Sequence, residues 1–214
     1  MQKRKNISNI GINQLIIKHL NENLNVYFKV FLIFIIGICI GIAVVNHLPE
    51  VGMQTINDYI SNSITILKND NEIDKLQILK SSLFKNVIIV LLIWFLGLTL
   101  VGGFILYLLT LILGITFGYT LSAIMTSFTF IQGALFFLTG MFLQNLFSIP
   151  SIIFLIVQGI NSNKAILVKK NNSLKYIVAK QSIYSIIVMI FLILASLIEA
   201  YVSGKLVHLI AIYL

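Results

Sequence analysis

From residue 86 to residue 163 the chain contains no Asp, Glu, Lys, Arg or His. A run that long and that apolar has no place in a water-soluble core, and the way it divides into membrane spans sets the topology. Two spans would each take roughly forty residues, well beyond the 20–25 or so that a bilayer requires, and four would leave almost nothing for turns. Three fit. Local punctuation agrees, because Gly102-Gly103 supplies one turn and the hydroxyl-rich Thr126-Ser127 supplies another. Apolar runs over 30–49 and 181–198 add a first and a last span. The expected fold is therefore all-α, a polytopic bundle with transmembrane helices at 28–47, 86–101, 103–125, 129–160 and 180–200.

Composition supports that class. Only 10% of the 214 residues are charged and the mean hydropathy is +1.00, against about 25% charged residues in soluble domains. The N-terminal apolar run follows a polar segment of about thirty residues with no small-x-small cleavage site, so the first span is expected to be retained.

Charge orients the bundle. Residues 1–29 carry Lys3, Arg4, Lys5, Lys18 and Lys29 against Glu22 alone, and residues 161–180 carry five lysines and no acid. The 46–85 loop is slightly acidic. Positive-inside bias places the two basic segments in the cytoplasm and the loop outside, which again requires an odd number of spans between them. The expected domains are a cytoplasmic segment 1–29, a five-span domain 30–200 with an outside loop 48–85 and a basic inside loop 161–180, and an interfacial tail 201–214. The N-terminus is expected inside and the C-terminus outside. The net charge of +8 is then a topology signal that can also attract anionic lipid, and the expected contact is the lipid bilayer with no nucleic acid.

The motifs of catalysis are missing. There is no glycine-rich phosphate loop, HExxH pair or nucleophile elbow, and His19, His47 and His208 are far apart in sequence. The one cysteine, Cys39, lies in the first apolar run and reads as a packing residue. The chain is read as a non-enzyme with no cofactor and no metal.

Flanking segments carry helical periodicity. In the outside loop, Met53, Ile56, Ile60, Ile64 and Leu67 recur at steps of three and four, and Ile73, Leu76, Leu79 and Leu83 repeat the pattern after an "NDNE" turn at 69–72. Ile12, Leu15, Ile16, Leu20 and Leu24 predict an in-plane helix before the first span. Met53, Ile56, Ile60 and Leu67 are the candidate partner surface.

Within the spans, Gly37/Gly41 and Gly114/Gly118 make two GxxxG strips that let helices approach closely. Packing within one chain is the favoured reading, with a homo-oligomer as the alternative. Glu199 is the one acid near a span end and a functional candidate. In "FLQNLFSIPS" (142–151), helical geometry puts Gln144, Ser148 and Ser151 on one face with Gln158, and Asn145 one step aside. Pro150 deprives the Leu146 carbonyl of its donor, so an inward polar hinge or helix break is expected there.

Several of these pieces resemble the stage II sporulation protein M family of endospore-forming bacteria: Gly37 and Gly41, "LFKN" (83–86), "IWFLGLTLVG" (93–102), "LQNLFSIP" (143–150) and "EAYVSG" (199–204). Leu143 and Gly204 stand where that family often has Pro. The resemblance implies a five-span scaffold in the mother-cell membrane at the sporulation septum. There it would localise two peptidoglycan-degrading partners during engulfment, an amidase (stage II sporulation protein P) and a lytic transglycosylase (stage II sporulation protein D). The competing reading, from the polar stripe and Glu199, is a membrane subunit of a transporter or channel.

Overall fold

A computed structural model of the chain describes residues 12–68, 75–168, 174–203 and 205. The described elements are all helical. They are α1 (Ile12–Asn46), α2 (Glu50–Lys68), α3 (Lys75–Leu98), α4 (Gly102–Ser127), α5 (Phe130–Phe137), α6 (Leu143–Leu167) and α7 (Leu174–Leu197). A π-helical turn, Leu138–Phe142, joins α5 to α6, and a second, Ile198–Ser203, extends α7. Five helices are long and apolar enough to cross a bilayer: Asn23–Asn46, Lys75–Leu98, Gly102–Ser127, Phe130–Leu167 and Leu174–Ser203. The turns fall at the two dipeptides that the sequence marked, since α4 begins at Gly102 and ends at Ser127.

Several boundaries differ from expectation for one shared reason, among them the end of α6, which runs past 160 to Leu167. Helix α3 starts at Lys75 rather than 86, so Leu76, Leu79 and Leu83 form the first turns of the span and not a separate loop helix. Helix α1 runs unbroken from Ile12 into the first span, without the break an in-plane segment would need. The last span likewise begins at Leu174. In each case a lysine ends the uncharged run but does not end the helix, because Lys is a good helix former whose long stem can carry its charge away from lipid. The 69–72 turn, Ile73, Lys169, Lys170, Gly204 and the 206–214 tail lie outside the described residues, as do the side chains of Ile12, Leu15, Ile16, Leu20, Ile64 and Leu67.

Helix α6 is the central post. Leu155, Ile156, Val157, Gln158, Gly159 and Ile160 are six consecutive buried residues, and a helix buried all the way round must be enclosed by neighbours. Around it stand α3, α4 and α7, with Ile93, Leu106, Val188 and Leu192 completing the core. Helices α3 and α6 cross where Gly97 meets Gly159; a Cβ on Gly97 would come 2.8 Å from the Gly159 Cα. The outward faces are apolar too, with Phe95, Phe104 and Phe130 largely exposed, as a bilayer-facing surface requires.

Helix α1 docks mainly on α4 through the two GxxxG strips. A Cβ on Gly37 would sit 2.5 Å from the Leu111 carbonyl oxygen and 2.9 Å from the Gly114 Cα, and one on Gly118 would sit 2.8 Å from the Ile38 Cα. Both strips are therefore used inside one chain. The contacts advance together, Gly37 with Gly114 and Gly41 beside Gly118, so α1 and α4 run parallel.

Candidate functional site

The bundle has two polar ends. At one, Asn163 on α6 binds the α3–α4 turn: its Nδ2 donates to the carbonyl of Thr99 and, at 3.2 Å, to that of Leu100. Carbonyls at a helix end lack intrahelical donors, and this side-chain amide supplies one. Nearby, Ser162 Oγ donates to Gln181 Oε1 at 2.9 Å. These contacts fasten α3, α4, α6 and α7 together.

The opposite end is built around Glu199. The π-helical segment Ile198–Ser203 places this carboxylate inward, half-buried between α3 and α6. An acid in a membrane span is costly unless donors face it. Ser82 Oγ lies 2.5 Å from Glu199 Oε2. With the Gln144 amide oriented to satisfy both groups, its Nε2 donates to Oε2 at 2.9 Å and to Oε1 at 3.3 Å.

Behind Ser82 the network continues. Ser82 Oγ is 2.9 Å from Ser196 Oγ, and Asn86 Nδ2 donates to Ser196 Oγ at 2.9 Å and to the Leu192 carbonyl at 3.3 Å. One hydroxyl proton cannot serve both neighbours of Ser82. The shorter, charge-assisted contact to Glu199 takes it, while Ser196 Oγ donates to the Leu192 carbonyl at 3.0 Å. Asn86, Ser196 and Ser82 thus form one buried polar cluster behind Glu199. No cation lies within ion-pairing distance of Glu199 among the described residues.

This end opens into a cavity of about 200 Å³ between α3, α4 and α6. Its outer part is polar, lined by Lys85, Gln144, Asn145, Ser148, Thr120 and Glu199. Its inner part is apolar, lined by Phe34, Leu113, Ile152, Ile153 and Ile156. The hydroxyls of Thr110, Thr116 and Thr120 donate back to carbonyls of their own helix, so they offer no free donor to the cavity. Asn145 differs, because its amide makes no hydrogen bond among the described residues.

The residues singled out in the sequence thus separate. Gln144, Asn145, Ser148 and Glu199 converge on one cavity. Gln158 is buried beyond Ile156 and does not line it, and Ser151 is half-buried away from it. Pro150 points outward, exposed, and α6 is helical through it. The expected break is displaced to the π-helical turn at Leu138–Phe142, just ahead of the Gln-Asn pair. A single missing backbone bond at Pro150 is outweighed by the packing of the six buried residues that follow. Met53, Ile56 and Ile60 are half-buried, with α2 held to α4 by Ser127 Oγ donating to Asn57 Oδ1 at 2.7 Å, whereas Val51 and Tyr59 stand fully outward.

Sequence reasoning missed Ser82, Lys85, Asn86 and Ser196. The signal was present: Ser82 and Asn86 are one turn apart, as are Ser196 and Glu199. Ser82 and Lys85 fall before the uncharged run, and local spacing alone does not show that α3 and the end of the last span meet.

A family model described as stage II sporulation protein M matches residues 30–204. Comparison with curated proteins gives no match, and comparison with solved structures gives none.

Proposed function

The chain belongs to the stage II sporulation protein M family, a family of membrane proteins of sporulation, and we propose that it is a non-catalytic membrane anchor for cell-wall-degrading enzymes during engulfment. In this reading it sits in the mother-cell membrane at the septum and holds an amidase and a lytic transglycosylase there, the stage II sporulation proteins P and D. The observation that carries it is the family match across all five spans, from 30 to 204.

The positive-inside distribution supports the orientation. It puts the Asn163 end in the cytoplasm and the Glu199 end, with α2, on the wall side. Helix α2 is the one long described helix that does not qualify as a span. Its Met53, Ile56 and Ile60 side is half-spent on the bundle, so the surface offered to a partner is the opposite side, with Val51 73% and Tyr59 75% exposed. Replacing both by Asp should abolish co-purification of the amidase from sporulating cells at unchanged membrane abundance. Undiminished co-purification would exclude α2 as the contact.

The transporter reading draws on the cavity, yet the shape disfavours a path. Below Ile156 the bundle is filled by Ile93, Leu106, Leu155 and Ile160, each 1% exposed or less.

A further inference from the structure

The polar end of the cavity holds two opposite charges that do not satisfy each other. Glu199 accepts only neutral donors, Ser82 and Gln144, and Lys85, itself exposed, lines the same cavity without an ion-pair partner among the described residues. Asn145 lines the same cavity with an amide that makes no hydrogen bond among the described residues. A half-buried carboxylate and a half-buried amide in a membrane span favour a further polar group beside them.

An occupant that meets both charges carries a cation for Glu199 and an anion for Lys85. It also continues into an apolar part, because the cavity passes from these groups to Ile152, Ile153 and Ile156, roughly two to three turns further along α6 than Asn145. A headgroup with a tail has that order; a free zwitterion has only the first half of it. The volume of about 200 Å³ is below the 300–1,000 Å³ or so of pockets that enclose a drug-sized ligand. It suits a headgroup and the start of one chain rather than a whole lipid.

We propose that this cavity binds a zwitterionic aminophospholipid of the phosphatidylethanolamine type. The ammonium donates to Glu199 and to the Asn145 carbonyl oxygen, the phosphate accepts from Lys85, and the first part of an acyl chain lies along Ile152 and Ile156. An anionic phospholipid can meet Lys85 but puts nothing cationic against Glu199, so the site discriminates between headgroups by charge.

The test is native mass spectrometry of the full-length protein in detergent, titrated with phosphatidylethanolamine or with phosphatidylglycerol of the same chains. One phosphatidylethanolamine per protein is expected, with phosphatidylglycerol at least tenfold weaker. Glu199→Gln and Lys85→Gln should each weaken the adduct by roughly tenfold, the loss of one charge-assisted contact. Asn145→Leu, which removes no internal hydrogen bond, should weaken it too while leaving thermal stability intact. Leu146→Ala, on the exposed side of the same turn, should not. Equal affinity for the two lipids, adducts indifferent to Glu199→Gln and Asn145→Leu, or soluble phosphoethanolamine competing as well as the lipid would each overturn the proposal.

Discussion

Ser82 and Glu199 stand 117 positions apart in sequence and 2.5 Å apart in space. That contact joins the first turns of α3 to the end of the last span, and it keeps a carboxylate within the bundle. Ser82→Ala leaves the carboxylate one donor short and should cost about 1.5–3 kcal/mol, the range for hydrogen bonds to charged groups. Glu199→Gln keeps an acceptor for Ser82 and should cost less. The double variant should be less destabilised than the sum of the two, which a thermal-unfolding cycle in detergent can measure. Strict additivity would show that the pair is not coupled.

The facing glycine strips give a second prediction. Gly37→Ala and Gly118→Ala each drive a methyl against backbone of the other helix, and overpacking of this kind should destabilise by about 1–3 kcal/mol. Gly52→Ala is the control, because its methyl meets only the movable Leu48 side chain at 3.2 Å. Melting temperatures of the three variants should separate them, with Gly52→Ala near wild type.

The α3–α4 turn gives a third. Asn163→Ala leaves the carbonyls of Thr99 and Leu100 without their side-chain donor and should cost about 1–3 kcal/mol. Gly103→Ala should do comparable harm by another route, since its Cβ would lie 2.6 Å from Asn163 Oδ1. Proteolysis at 98–103 should rise in both variants relative to wild type.

How much of this was legible in the sequence depends on the kind of signal. The number of spans and both turns around α4 could be read from the uncharged 86–163 run and its Gly102-Gly103 and Thr126-Ser127 punctuation, because hydropathy over a bilayer's thickness is a strong constraint. Span starts could not. Lys80 and Lys85 look like boundaries, yet α3 passes through both, since charge marks where a chain meets headgroups and not where its helix begins. Local spacing placed Gln144, Asn145 and Ser148 on adjoining positions of α6. It could not show that Gln158 leaves the cavity or that Glu199 enters it, because those outcomes depend on how α3, α6 and α7 cross. The π-helical segments at Leu138–Phe142 and Ile198–Ser203, which re-aim the polar groups, have no sequence signature comparable to a proline.

Orientation gives a fourth prediction. With Cys39 replaced by Ser, a cysteine at Tyr59 should react with a membrane-impermeant maleimide in intact protoplasts, and one at Leu174 should react only after lysis. The reverse pattern would invert the bundle and remove α2 from the wall side.

The central claim, that the chain anchors wall-degrading enzymes at the septum, is tested most directly by imaging the fluorescently tagged amidase in sporulating cells that lack this protein. The amidase should lose its septal focus and engulfment should stall. The wild-type gene should restore both, and the Val51→Asp, Tyr59→Asp variant should restore neither. A septal focus that persists undiminished without the protein would contradict the account.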